Sequence, residues 1–371
     1  MRAHPASLDV QQQACGALSS LAANADNRVK IAGLGGIEAV LAAMRAHPAS
    51  QPIAGLGGIE AVLAAMRAHL ASLDVQQHAC GALGSLAIND DNRVKIAGLG
   101  GIEAVLAAMR AHPASQPVQQ LACGALGSLA INADNEVKIA GLGGIEAVLA
   151  AMQAHPASQP VQQQACRALT SLAINADNRV KIAGLGGIEA VLAAMRAHPA
   201  SQPVQQHACG ALTCLAINSQ SRVKIAGLGG IEAVLAAMQA HPFSQPVQEQ
   251  ACGALGSLAV NDDNEVKIAG LGGIEAVLAA MRKHCRSEKL LVEAISLLAR
   301  FDSNIISKVQ FFPICLSLMY FFCLAEPADR VSCERSCLRC HEQLQAEYHH
   351  TREGQDCSRS AAMTLSIIVA C

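Results

Sequence analysis

A chain of 371 residues has room for two or three ordinary domains, and 52% hydrophobic residues supply ample material for a core. That apolar material is Ala, Leu, Ile, Val and Met with no Trp, which favours closely packed helices over a β-rich core wanting aromatic and β-branched side chains. A net charge of −2 leaves no basic surplus to neutralise phosphates, so nucleic acid is not an expected partner.

The chain opens inside a repeating pattern. MRAHPAS at 1–7 recurs at 44–50, one 43-residue period later, so the first residues read as the end of a middle helix and the array as a piece of something longer. The same residues lack the apolar stretch of a signal peptide, which points to a cytoplasmic chain, with the nucleus as the other possibility. Residues 31–52 are followed by a near copy at 53–74, giving a truncated repeat near 46–74 that has lost its long helix and most of its short one. A bend or stacking defect is expected near 46–60. Beyond it the period is regular: Cys80, Cys123, Cys166, Cys209 and Cys252 are each 43 residues apart, while Cys15 precedes Cys80 by 65. One Cys per repeat at the same depth is a poor disulfide framework, and these six read as small buried hydrophobes.

Each full unit divides into three helical pieces. In the repeat around Cys123, Val118, Ala122, Leu126 and Leu129 make the apolar stripe of a long helix, and Ile145, Val148, Leu149 and Met152 that of a middle one. Residues 112–117 (HPASQP) separate two such helices: Pro113 stops the first and Pro117 suits the first turn of the second. A short helix is predicted over 136–140, with Asn135 as its N-cap. It ends at Gly141, after which Gly143 and Gly144 supply a sharp turn. No unit can bury its stripe alone, so neighbours must stack.

The order short helix, Gly-rich turn, GGIEAVLAAM helix, polar loop, VQQQACGALxSLA helix resembles the armadillo repeat. The likeness covers residues 1–308 and implies an all-α, right-handed superhelical solenoid of six to seven three-helix repeats, with a diverged last helix at 287–308. It also implies that the long helices line a groove for proteins or extended peptides, without a cofactor. Importin-α-like members place a Trp and an Asn four residues apart there. In this chain the Trp slots hold Gly16, Gly81, Gly124, Arg167, Gly210 and Gly253, and the Asn slots hold Ser20, Ser85, Ser128, Ser171, Cys214 and Ser257, so nuclear-import cargo is not the expected ligand. One turn earlier lie Gln12, Gln77, Gln120, Gln163, Gln206 and Glu249, which make the face polar and almost uncharged. Arg167, Cys214 and Glu249 break the pattern and read as specificity positions.

No constellation in the repeats resembles an active site, so no enzyme is expected. The recurrent His of His-Pro (His47, His112, His155, His198, His241) reads as a polar residue of an exposed loop. Gly-Leu-Gly-Gly has neither the strand nor the Lys-Ser/Thr of a phosphate loop, and Asp-Asp-Asn at 90–92 and 262–264 lacks the spacing of a calcium loop. Residues 290–301 keep the spacing of a last long helix. The run 309–325 holds five of the eight aromatics and as a helix would reach about 25 Å, slightly short of a bilayer core. The tail at 326–371 reads as disordered. Its Cys337-Leu-Arg-Cys340-His341 matches a haem attachment pattern, and with Cys333, His349, His350 and Cys357 could suggest zinc, but no second spaced pair supports a metal. Three functions remain: an interaction scaffold, a membrane-tethered adaptor anchored by 309–325, or the regulatory repeats of a larger enzyme such as a kinase or ubiquitin ligase.

Overall fold

The computed structural model describes residues 59–301. The readings made on Cys15, Gln12, Gly16, Ser20 and His47, on the mid-repeat opening, on the apolar run 309–325 and on the Cys/His tail lie outside them. The bend placed near 46–60 reaches only their first two residues.

Among the described residues there are seventeen helices and no strand. A middle helix α1 (Ile59–Ala68) and a long helix α2 (Leu73–Leu86) come first. Five complete units of short, middle and long helix follow: α3 (Asp90–Gly98), α4 (Gly101–Ala111) and α5 (Gln116–Leu129); α6 (Ala133–Gly141), α7 (Gly144–Ala154) and α8 (Gln159–Leu172); α9 (Ala176–Gly184), α10 (Gly187–Ala197) and α11 (Gln202–Leu215). The last two units are α12 (Ser219–Gly227), α13 (Gly230–Ala240) and α14 (Gln245–Leu258), then α15 (Asp262–Gly270), α16 (Gly273–Lys283) and α17 (Glu288–Leu298). The chain divides into two compact units, one ending at Ala233 and the other beginning at Val234.

Local chemistry sets each boundary. The short helix begins earlier than the sequence suggested. Its N-cap is Asn132, whose Oδ1 accepts from Asn135 N at 3.1 Å, and Asn89, Asn175, Asn218 and Asn261 cap the same way. Asn135 is not a cap. It is buried, and its amide donates to Leu129 O and to Arg93 O of the preceding repeat, both at 3.2 Å. The short helix ends at Gly141, and Gly143 takes φ +83°, a left-handed backbone that favours glycine. A Cβ on Gly144 would stand 2.3 Å from Ile139 Cγ2, so only glycine lets α7 turn 69° away from α6. The long helix starts at the N-cap Ser115 with Pro117 in its first turn.

Burial follows the predicted stripes. Val118, Ala122, Leu126 and Leu129 of α5 are fully buried, and Ile145, Val148, Leu149 and Met152 of α7 are at most 5% exposed. Cys80, Cys123, Cys166, Cys209 and Cys252 are buried and form no disulfide, and burial pushes the first three and Cys252 up to about 12. They are inert filling. At the end of the described residues, Leu290, Leu291, Ala294, Leu297 and Leu298 bury the inner face of α17 against α14 and α16.

Polar bonds recur at the junctions between repeats. The recurrent His is not a free loop residue: His155 Nε2 donates to Pro113 O at 2.7 Å and His198 Nε2 to Pro156 O at 2.8 Å, each reaching back one repeat, and His155 is buried. Lys138 and Lys181 bridge to Glu103 and Glu146 at 3.0 and 2.8 Å and donate to Ala97 O and Ala140 O. Arg110 donates to Leu142 O at 3.1 Å, whereas Gln153 stands in the equivalent place of the next repeat.

Candidate protein-binding face

The paired glutamines that open each long helix have opposite fates. The first is buried: Gln162 Nε2 donates to Met152 O at 2.8 Å and His155 O at 3.0 Å, closing the C-terminal end of α7, and Gln76, Gln119, Gln205 and Gln248 do the same in their repeats. The second points 100° away, is half-exposed, and spends no hydrogen bond on the fold at Gln77, Gln120, Gln163 or Gln206.

Those four amides stand in the row that the sequence assigned to the groove. One turn along lie Gly81, Gly124, Arg167 and Gly210, and one turn further Ser85, Ser128, Ser171 and Cys214. The positions are half-exposed except Ser128 and Gly210, which are buried. Successive long helices α2, α5, α8 and α11 pack side by side, so the rows are brought together on one face in the unit that ends at Ala233. In the unit that begins at Val234, Glu249 and Ser257 are half-exposed on α14, and Gly253 is buried.

The pattern-breaking residues are held by neighbours. Arg167 Nη2 donates to Ser128 Oγ at 2.9 Å and Nη1 to Gln164 Oε1 at 3.4 Å, which fixes a half-exposed cation across the α5–α8 junction. Glu249 accepts from Ser287 Oγ at 2.7 Å and Gln245 Nε2 at 2.8 Å, with Lys289 Nζ at 3.8 Å. Burial raises the Glu249 carboxyl, but these bonds and the charges of Lys289 and His284 outweigh it and hold the group below the usual range. Burial pushes the Cys214 thiol up, with Arg179 opposing and Glu136 adding to it.

A second column of the face was not read from the sequence. A Cβ on Gly81 would touch Leu121 of the next repeat, and one on Gly124 would lie 3.2 Å from Gln164 Oε1. His207 occupies that column beside Arg167, and burial together with the Arg167 charge holds its imidazole below the ordinary value. Only the contact between repeats exposes this column, since within one helix it is just the residue after the second Gln. An open cleft of about 720 Å³ adjoins the row at Gln120, where Leu73, Pro113, Pro117 and Pro160 meet. Among the described residues no group of three or more His, Cys, Asp or Glu could hold a metal, and no single helix is long and apolar enough to cross a membrane.

Three comparisons bear on this architecture. The family profile described as LRRK2 ARM repeat matches residues 11–227. No curated protein matches the sequence. Among solved structures, the crystal structure of an engineered protein from the Northeast Structural Genomics Consortium is 22% identical, covering 67% of this chain and 96% of that chain, with a TM-score of 0.58. That likeness is one of fold. A chain from a structure concerning the phosphorylation-controlled interaction of cadherin and beta-catenin is 16% identical over 86% of this chain and 79% of that chain, with a TM-score of 0.43.

Proposed function

This chain belongs to the armadillo family, as an array of the LRRK2 ARM-repeat type, and from that premise we propose that it is a non-catalytic scaffold that binds partner proteins in extended form along its long helices. One observation carries the reading. Gln77, Gln120, Gln163 and Gln206 form a row of half-exposed amides with no bond inside the fold, beside buried glutamines that each make two. An amide offers both donors and an acceptor, which is what the backbone of an extended peptide needs. The buried thiols, which form no disulfide, support a reducing compartment, and we place the chain's work in the cytosol.

The partner is modest in affinity at each repeat, because among the described residues the face carries no aromatic anchor and has Arg167 as its fixed cation, and gains strength by engaging several repeats together. The test is proximity labelling and pull-down with the whole chain, repeated with Gln120→Ala/Gln163→Ala/Gln206→Ala and with Arg167→Glu and Glu249→Lys. Loss of the same few proteins in the triple variant and an altered set in the charge variants is the expected result. Recovery of an identical set by every variant would remove the face from consideration.

A further inference from the structure

The short helices of the unit ending at Ala233 show solvent a second, chemically different face. Val94, Val137, Val180 and Val223 are 57–58% exposed, and Ile88, Ile131, Ile174 and Ile217, just before the caps, are 52–65% exposed. Eight aliphatic side chains more than half in water exceed the scattered hydrophobics of an ordinary surface. The helices gain nothing from them, since an exposed β-branched residue is a poorer helix former than alanine.

Two neighbours of each Val add to this. Four residues on, Gly98, Gly141, Gly184 and Gly227 are exposed, and a Cβ on any of them would meet nothing within 4 Å. None of these four takes a positive φ. Neither backbone conformation nor crowding therefore calls for glycine, and what it leaves is a shelf on which another backbone can come close. Three residues before Val137 and Val180 stand exposed Asp134 and Asp177, neighbours on the same helix face. The adjoining cations already have partners: Lys138 and Lys181 bridge to the preceding repeat, and Arg179 donates to Ala173 O at 3.1 Å and Ile174 O at 2.8 Å. The edge thus presents aliphatic groups and the carboxylates of Asp134 and Asp177, while the neighbouring cations are engaged by glutamates and backbone carbonyls.

The rungs are also regularly spaced. Asn178 Nδ2 donates to Glu136 O, and Lys181 Nζ to Ala140 O, so α6 and α9 lie side by side in register, as α3 and α6 do through Asn135 and Lys138. Helices packed side by side are roughly 8–10 Å apart. A helix laid across them advances about 10.5 Å in seven residues, so a heptad-spaced apolar residue meets one Val per rung.

We propose that this short-helix face docks an amphipathic, basic α-helix of a partner protein, with one apolar side chain per heptad seated between Val and Ile, its backbone over the glycine shelf, and Lys or Arg beside Asp134 and Asp177. It is a second surface, independent of the glutamine face.

The probe is a fluorescently labelled synthetic helix of three heptads, Leu at one heptad position and Lys flanking it, titrated into the whole chain by anisotropy. A peptide of the same composition with shuffled spacing is the control. Binding weakened about tenfold by shuffling and by Val137→Ser/Val180→Ser, and about threefold by Asp134→Asn/Asp177→Asn, supports the proposal. Unchanged melting of the serine variant shows that the surface and not the fold was altered. Equal binding of the shuffled peptide, or full binding by a serine variant of wild-type stability, overturns it. Concentration-dependent dimerisation that the serine variant abolishes would also overturn it, in favour of a second copy as occupant. Arg167→Glu leaves this binding unchanged, which separates it from a failure of the glutamine face.

Discussion

Gly141 and Gly144 sit three residues apart and answer to opposite constraints. Gly141 ends α6 in open space, so Gly141→Ala stabilises by about 0.5–1 kcal/mol through helix propensity and a less disordered unfolded chain. Gly144 faces Ile139 across the turn, and Gly144→Ala costs about 1–3 kcal/mol or more from overpacking. Urea midpoints of the two variants should move in opposite directions. Glu136 offers a prediction in pH. It is 4% exposed and accepts a hydrogen bond from Asn175 N; burial pushes its carboxyl up, against the lowering effects of Asn175, Asn178 and Arg179. A raised folded-state value means its contribution is fully present below the unfolded value and is lost as pH rises through the folded one. Glu136→Gln keeps an acceptor and removes the titration, so its melting temperature should gain on wild type as pH rises from the ordinary carboxylate range of about 4. A difference that stays constant as pH rises would refute the assignment.

At the scale of the helix, the two adjacent glutamines separate folding from binding. Gln162→Ala strands the carbonyl of Met152, while that of His155 keeps the N–H of Ser158, and should cost about 1–3 kcal/mol in denaturant titration, whereas Gln163→Ala should leave stability within about 0.5 kcal/mol. The same pair shows what the sequence could and could not say. The long helix, its Pro117 start and its buried stripe were legible from local chemistry, as was the Gly143–Gly144 turn. The row Gln120, Gly124 and Ser128 came from the armadillo resemblance, which says which face of the long helix to look at. The short-helix cap was misplaced because Asn132 and Asn135 are chemically identical, and the choice between them is settled by Arg93 O, a repeat away. The histidines were misread for a similar reason: their partners are carbonyls in the neighbouring loop. What stayed hidden was the set of interactions made across a junction, the bond of Arg167 to Ser128 and its charge beside His207 among them.

At the scale of the molecule, the junctions respond together to acid. Burial works against the carboxylates of Glu146 and Glu189, but the bonds and charges of Lys181 and Lys224, with each residue's own N–H, outweigh it and hold both below the usual range. Their contribution is present above the unfolded carboxylate value and disappears as pH falls through the folded values. Glu146→Gln/Glu189→Gln should therefore lower the melting temperature near neutrality and converge on wild type in acid; parallel curves would rule out these rungs. Because the junctions on either side of it share their histidine and lysine bonds, removing the repeat at residues 133–175 joins Asn132 to Ala176 and keeps an Asn cap ahead of a short helix. Such a chain should keep its helicity per residue and lose roughly 10–20% of its denaturant slope. The bridges themselves have a further consequence. Those of His155, Asn135 and Lys138 reach back 42, 42 and 41 residues, and none of them waits for the far end of the chain. A ribosome need release only about one further repeat before the previous junction can close, so the array can assemble behind the exit tunnel while its later repeats are still being translated.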